Sequence, residues 1–243
     1  MIGSLLRCRL KDAGRARAPC RRAACRRPNT TQSLGEEVAR VIARQEDIGQ
    51  RVVTDGELSR SSWFGFFFEG LEGFRLEPSH FKFGDADGAT CDWPTCVARA
   101  RSSRRGPITL GEFERPNALV RRALVKATMP APSAFHFFRL GGSVEAQAYG
   151  DVSGFFDDLT AVYRAELARA GCRYVQFDAM PIAMLCDPQV CRQTQAQGSD
   201  PATLIDTYIA LLERIVADPP LPMRLGLHLC RGNFRGRWMA AGG

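Results

Sequence analysis

His228-Leu229-Cys230 sets an imidazole and a thiol two residues apart at the end of the apolar run Met223-Arg224-Leu225-Gly226-Leu227. In a strand, residues i and i+2 share a face, so both donors can reach one ion. Zinc accepts nitrogen and sulfur donors tetrahedrally, which makes it the natural candidate and calls for two more donors. Other polar side chains stand in equivalent places: Asp55 and Glu57 after Arg51-Val52-Val53-Thr54, Thr128 after Leu124–Ala127, and Asp178 after Arg173–Phe177. Taken singly, each has a plain alternative. Glu57 in Asp-Gly-Glu can be a solvated turn residue, and Asp178 can cap the helix that follows it.

The elements that would position these residues repeat a helix–strand rhythm. Residues 33–49 read as an amphipathic helix, with Ser33 and Glu36 as a capping box and Val38, Val41, Ile42 and Ile48 as the apolar stripe. Gly49 ends it and a short strand follows. Residues 151–170, closed by Gly171, and 201–217, opened by Ser199-Asp200-Pro201, repeat the unit, each leading into a strand. The last strand, 223–227, reads as buried. Chemistry-bearing residues gathered at the C-terminal ends of successive strands are what a (β/α)8 TIM-type barrel presents on its active face. A doubly wound sheet is the second choice, since no Gly-rich loop follows the first strand. Residues 14–30 and 85–105 lack periodicity and are expected to be loop or disordered. Residues 73–84 and 106–115 read as extended segments of an excursion from the barrel.

Composition removes several function classes. The chain has 243 residues, 45% of them hydrophobic, which suits one domain over 1–243. No apolar run is long enough to span a membrane. The net charge of +7 is local: residues 1–30 hold nine Lys/Arg against Asp12, leaving the remainder at −1. That arm could be a presequence or a basic tail. Pro19 and Pro28 would interrupt a long amphipathic helix, and no aromatic residue lies among the arginines, so neither nucleic acid nor membrane is the expected partner. Nine cysteines include three C-x4-C spacings, Cys20/Cys25, Cys91/Cys96 and Cys186/Cys191, unlike the C-x2-C of zinc knuckles. A reducing cytoplasm is the expected setting.

Five blocks in order carry a family resemblance. They are Ile2-Gly3-Ser4-Leu5-Leu6-Arg7; Val53-Thr54-Asp55-Gly56-Glu57 with Ser61-Ser62-Trp63; Lys126-Ala127-Thr128-Met129-Pro130-Ala131-Pro132-Ser133; Gly171 to Asp178; and His228-Leu229-Cys230-Arg231-Gly232-Asn233-Phe234. Together they resemble the catalytic domain of cobalamin-independent methionine synthase, in particular its shorter single-domain relatives.

The resemblance implies a barrel that moves a methyl group from a methylated folate to the thiol of homocysteine, with zinc holding the thiolate. It implies that His228 and Cys230 are zinc ligands and that Ile2, Gly3 and Ser4 hold the amino acid's carboxylate. Glu57 would be a carboxylate beside the substrate, Asp178 would face its ammonium, and the Met129–Ser133 turn would lie beneath the pterin. His136 is expected to be a packing or rim residue and His80 a surface one. The chain departs from the family in ending before the positions of a third and a fourth ligand, so an incomplete barrel is expected. Ala179 also stands where relatives usually carry an acid. Two other readings stay open: the same barrel acting on another thiol or as a metal-free decarboxylase, against which the H-x-C pair argues, and a non-catalytic remnant.

Overall fold

The structure is a computed structural model that describes residues 30–60, 62–169, 171–219, 222–234 and 236–241. Its frame is a set of parallel strands laid side by side in chain order. Strand β1 (Val52–Val53) pairs with β6 (Leu124–Val125), matching Val52 to Leu124 and Val53 to Val125. One residue later the same stretch becomes β7 (Ala127–Pro130), which pairs on its other side with β8 (Tyr174–Asp178). Strand β9 (Arg224–His228) adds to β8 with Asp178 opposite His228. All these pairings are parallel, and the order never reverses as it does in a doubly wound sheet. The described residues thus form an open α/β arc with barrel-like succession and no closed barrel among them.

Helices cover the arc for reasons visible in their sequences. Helix α1 (Thr30–Asp47) buries Val38, Val41 and Ile42 against Val53, Leu58 and Val125. It starts before Ser33, so the expected capping box does not open it, and Ile48 is exposed beyond its end. Gly49, at φ +81, turns the chain with its N–H on the Glu46 carbonyl at 3.0 Å. Two side chains at the end of α1 then fix β1. The Gln45 amide donates to the Thr54 carbonyl at 2.7 Å and accepts the Thr54 N–H at 3.2 Å. Glu46 accepts the backbone N–H groups of Arg121, Arg122 and Ala123 at 2.9 to 3.0 Å, anchoring the approach to β6.

Between β1 and β6 the chain leaves the arc. Helix α2 (Gly65–Glu69) precedes a long antiparallel hairpin of β2 (Leu71–Pro78) and β5 (Pro94–Arg104), which encloses the small pair β3 (Phe83–Gly84) and β4 (Thr90–Cys91). Much of 85–105 is therefore strand, contrary to expectation. Its inner residues Thr95, Cys96, Val97 and Ala98 are buried in an unbroken run, which conceals the alternation that marks a strand. The hairpin bends at a bulge at Gly73, φ +86, where a Cβ would stand 2.7 Å from the Ala100 and Arg101 carbonyl oxygens. Helix α3 (Leu110–Asn117) occupies most of 106–115, which the sequence had suggested was extended.

The chain returns through a connection clamped by Glu166. This buried carboxylate pairs with Arg104 and accepts the Ile108 N–H, the Thr109 N–H and the Thr109 hydroxyl, each at 3.0 Å. Glu166 lies on α4 (Val152–Arg169), at the end of the same buried stripe as Phe155, Leu159, Val162 and Tyr163. Two short helices, α5 (Met180–Met184) and α6 (Pro188–Ala196), lead to α7 (Pro201–Val216). As expected, Asp200 caps α7 by accepting the Thr203 N–H at 2.8 Å, and Leu204, Tyr208, Leu211 and Ile215 form its buried stripe. The core between helices, hairpin and sheet is rich in rings, with Phe64, Phe67, Phe135, Phe138, Phe155 and Phe177 all buried. Each ring contributes about 1.5–3 kcal/mol.

Strand β9 contradicts the reading of a buried strand. Leu225, Leu227 and Leu229 are 38%, 54% and 54% exposed. Among the described residues β9 pairs with β8 alone, so its other edge is unpaired. No helix among the described residues is long and apolar enough to cross a membrane.

Candidate functional site

The concave side of the arc encloses an open cavity of about 890 Å³, and Glu57, Thr128, Asp178, His228 and Cys230 all line it. Residues far apart in sequence meet because Glu57, Asp178, His228 and Cys230 stand at or just past the C-terminal ends of strands, while Thr128 lies within β7 opposite Gln176. The register places Pro130 beside Asp178 and Asp178 beside His228, so one layer of the sheet carries the chemistry. Ile2, Gly3 and Ser4 lie outside the described residues, as does the stretch 14–29.

Glu57 reaches the cavity from a turn with left-handed backbone, φ +54, which is uncommon for a side chain with a Cβ. The turn is held by its own side chains: Asp55 Oδ1 accepts the Glu57 N–H and Thr54 Oγ1 accepts the Gly56 N–H, both at 2.9 Å. The Thr128 hydroxyl donates to Glu57 Oε1 at 3.1 Å, and Arg60 Nη1 lies 3.3 Å from the same oxygen. Burial pushes the Asp55 carboxyl up to about 6, against the Glu57 N–H, which favours its ionised form. Strain is therefore spent on the direction in which Glu57 points.

Asp178 is buried and does not cap the helix that follows. Its Oδ1 accepts the Gln176 amide at 3.0 Å, and its backbone carbonyl accepts the Ala131 N–H. Burial raises its carboxyl above the usual range; the Gln176 bond opposes this and the nearby Glu57 charge adds to it. Two carboxylates that repel one another across a cavity are stabilised together by a bound cation.

His228 and Cys230 stand close enough that each side chain shifts the titration of the other. Burial pushes the thiol up, but the His228 imidazole and the Gly232 N–H together bring it below its ordinary value. The Cys230 side chain is the main cause of the raised His228 value. Gly232, at φ +83, makes this turn, and a Cβ there would meet Met180 Sδ and a Phe83 ring carbon at 3.1 Å. No group of three His, Cys, Asp or Glu among the described residues could hold a metal. The H-x-C pair supplies two donors of a tetrahedral set and does not by itself make a zinc site.

Several lining residues were missed in the sequence. Lys126, Tyr174 and Gln176 face the cavity, with Lys126 Nζ donating to Gln176 Oε1 at 2.7 Å. Strand alternation would have found them: Lys126 shares a face with Thr128, and Tyr174 and Gln176 with Asp178. Trp63 and Phe83 supply an aromatic wall. The Met129–Ser133 turn is buried and absent from the lining. His136 is a packing residue, its Nδ1 2.8 Å from the Tyr208 hydroxyl, and burial brings it down to about 4. His80 is exposed, as expected, and bonds Gln197.

No family model matches the chain. The uncharacterised protein YxjH of Bacillus subtilis is 32% identical over 218 residues, spanning 86% of this chain and 55% of that protein. The 5-methyltetrahydropteroyltriglutamate–homocysteine methyltransferase of Corynebacterium glutamicum is 23% identical over 222 residues, 90% of this chain and 28% of its own length. Among solved structures, the putative vitamin-B12 independent methionine synthase of Listeria monocytogenes superposes with a TM-score of 0.65 at 24% identity. That match covers 92% of this chain and 61% of the other. The chain is similar in sequence and in fold to cobalamin-independent methionine synthases. A second such synthase, from Shewanella sp. W3-18-1 in complex with selenomethionine, gives a TM-score of 0.57 at 17% identity over 83% of this chain and 52% of its own. The chain spans about half the length of the Bacillus subtilis proteins it matches.

Proposed function

We propose that the cavity binds the zwitterion of a small sulfur amino acid and that the chain is a thiol methyltransferase, with homocysteine as acceptor and 5-methyltetrahydrofolate as donor. The observation that carries this reading is the meeting of Glu57, Asp178, His228 and Cys230 around one cavity. The two carboxylates suit an ammonium group, while the His228–Cys230 end offers soft donors to sulfur or to a metal holding it. Ile2, Gly3 and Ser4 would take the carboxylate. A free thiol with a pKa near 8.5 is mostly protonated at pH 7. The nucleophile is the thiolate, and zinc, once two further donors completed its shell, would supply that ionisation. Transfer forms the S–CH3 bond as the folate N–CH3 bond breaks, and the folate nitrogen gains a proton in place of the methyl group.

Titration calorimetry with L-homocysteine and L-selenomethionine tests the reading. Binding of either, weakened roughly tenfold or more by Glu57→Gln and by Asp178→Asn, is the expected result. Binding that neither substitution touches would sink it. Higher identity to the uncharacterised YxjH than to the named enzyme favours one second reading, another thiol as acceptor. A panel of thiols with methylated folate and added zinc separates the two.

A further inference from the structure

Arg60 is the most completely enclosed charge beside the cavity. Its side chain is 3% exposed, and its guanidinium carbon sits 3.6 Å from the centre of the Phe66 ring. The charge is divided unequally. Nε and Nη2 fork onto Glu112 Oε2 at 2.8 and 2.6 Å, and Nη2 also donates to the Thr128 carbonyl at 2.7 Å. Nη1 stands 3.3 Å from Glu57 Oε1 as an ion pair without an aligned hydrogen bond. Thr128 therefore touches both partners, giving its carbonyl to Arg60 and its hydroxyl proton to Glu57. Glu112 belongs to α3, beyond the hairpin excursion, and the Ser59 hydroxyl holds its Oε1 at 2.9 Å.

A guanidinium prefers a two-oxygen carboxylate clamp to a single ionic approach. Were Glu112 absent, the clamp would close on Glu57, three residues along the same turn. We propose that Arg60 and Glu112 are a positioning pair for Glu57: Arg60 keeps its carboxylate against Thr128, and Glu112 occupies the guanidinium so that Glu57 keeps its charge for a ligand's ammonium. With Glu112 engaged, the trio of Arg60, Glu112 and Glu57 carries a net negative charge, and Glu57 is its member that lines the cavity. Without it, the remaining pair is neutral. The inference rests on the sulfur amino acid reading for its ligand, but the geometry of the pair stands apart from that reading.

The test uses the full chain carrying Glu112→Gln, Arg60→Lys or the charge-balanced double variant Arg60→Met/Glu112→Gln. Calorimetry compares L-selenomethionine with its des-amino analogue, methylselenobutanoate. Glu112→Gln should weaken the amino acid roughly tenfold while leaving the analogue within about twofold. Equal weakening of both, or of neither, would overturn the proposal, because a purely structural role does not discriminate by ammonium. Arg60→Lys, which keeps the charge and loses the fork, should retain only part of the parent chain's affinity for the amino acid. Crystal structures without ligand test the geometry independently. The Arg60 fork should move onto Glu57 in Glu112→Gln, and Glu57 should leave Thr128 in the double variant. An unmoved Arg60 and Glu57 in both would refute the pairing. If the unaltered chain binds neither compound, the functional reading fails, and the crystal structures still decide the positioning roles.

Discussion

Glu57 shows how much local structure one carboxylate requires. Its left-handed backbone is kept by the Asp55 side chain, so Asp55 acts through its neighbour's N–H. Asp55 Oδ2 is buried without a hydrogen bond, in keeping with a carboxyl driven up to about 6 by burial. The folded value lies above the ordinary 3.8, so the folded chain holds this proton more tightly than the unfolded one. The resulting stability is complete below about 3.8 and disappears as pH rises through about 6. Asp55→Asn, which keeps an acceptor for the Glu57 N–H, should therefore be more stable than the parent at pH 8, by on the order of 3 kcal/mol at most. The difference should vanish near pH 4. Paired thermal melts across that range check the slope, and parallel curves would mean Asp55 stays ionised. At this scale the sequence was informative where strand ends could be located: Glu57, Asp178, His228 and Cys230 all reached one cavity. Arg60 and Glu112 were not legible, because a residue that acts by holding another leaves no periodicity.

At the scale of elements, the helix–strand units were readable from their apolar stripes, with a glycine stop after α1 and α4 and an Asp200 cap on α7. The failures came where tertiary context overrode local pattern. Four consecutive buried residues in β5 concealed its alternation, and β9 reads as buried although both of its leucines, and Leu229 just beyond it, are exposed. The joint between α1 and β6 was equally invisible, since it is made by backbone N–H groups gathered on Glu46. The Arg122 N–H leads in holding that carboxyl down to about 2, with the Ala123 and Arg121 N–H groups assisting against desolvation. Here the folded value lies below the ordinary 4.5, so the stability is present above 4.5 and is lost as pH falls toward 2. Glu46→Gln should lower the melting temperature at pH 7, and the gap should narrow steadily on acidification below pH 4.5. A constant gap would assign the loss to hydrogen bonding alone.

On the scale of the whole molecule, the described residues make an arc whose edge strand carries an exposed apolar row, Leu225, Leu227 and Leu229. Open parallel edges with apolar faces invite association. Sedimentation velocity should show self-association that grows with concentration, and Leu227→Lys should reduce it without altering ligand binding. A parent chain that stays monomeric at every concentration would show that this face is covered. The arc's geometry also passes through a single residue. Lys126 donates its N–H to Val53 on one side at 2.9 Å, and Ala127, next along, is in register with Val175 on the other. The strand thus spends its first half on one neighbour and its second half on the next, and that offset is what curls a sheet. Lys126 is in this sense the molecule's gauge: a slip of one residue there would widen or narrow the mouth and turn every inward side chain to the opposite face.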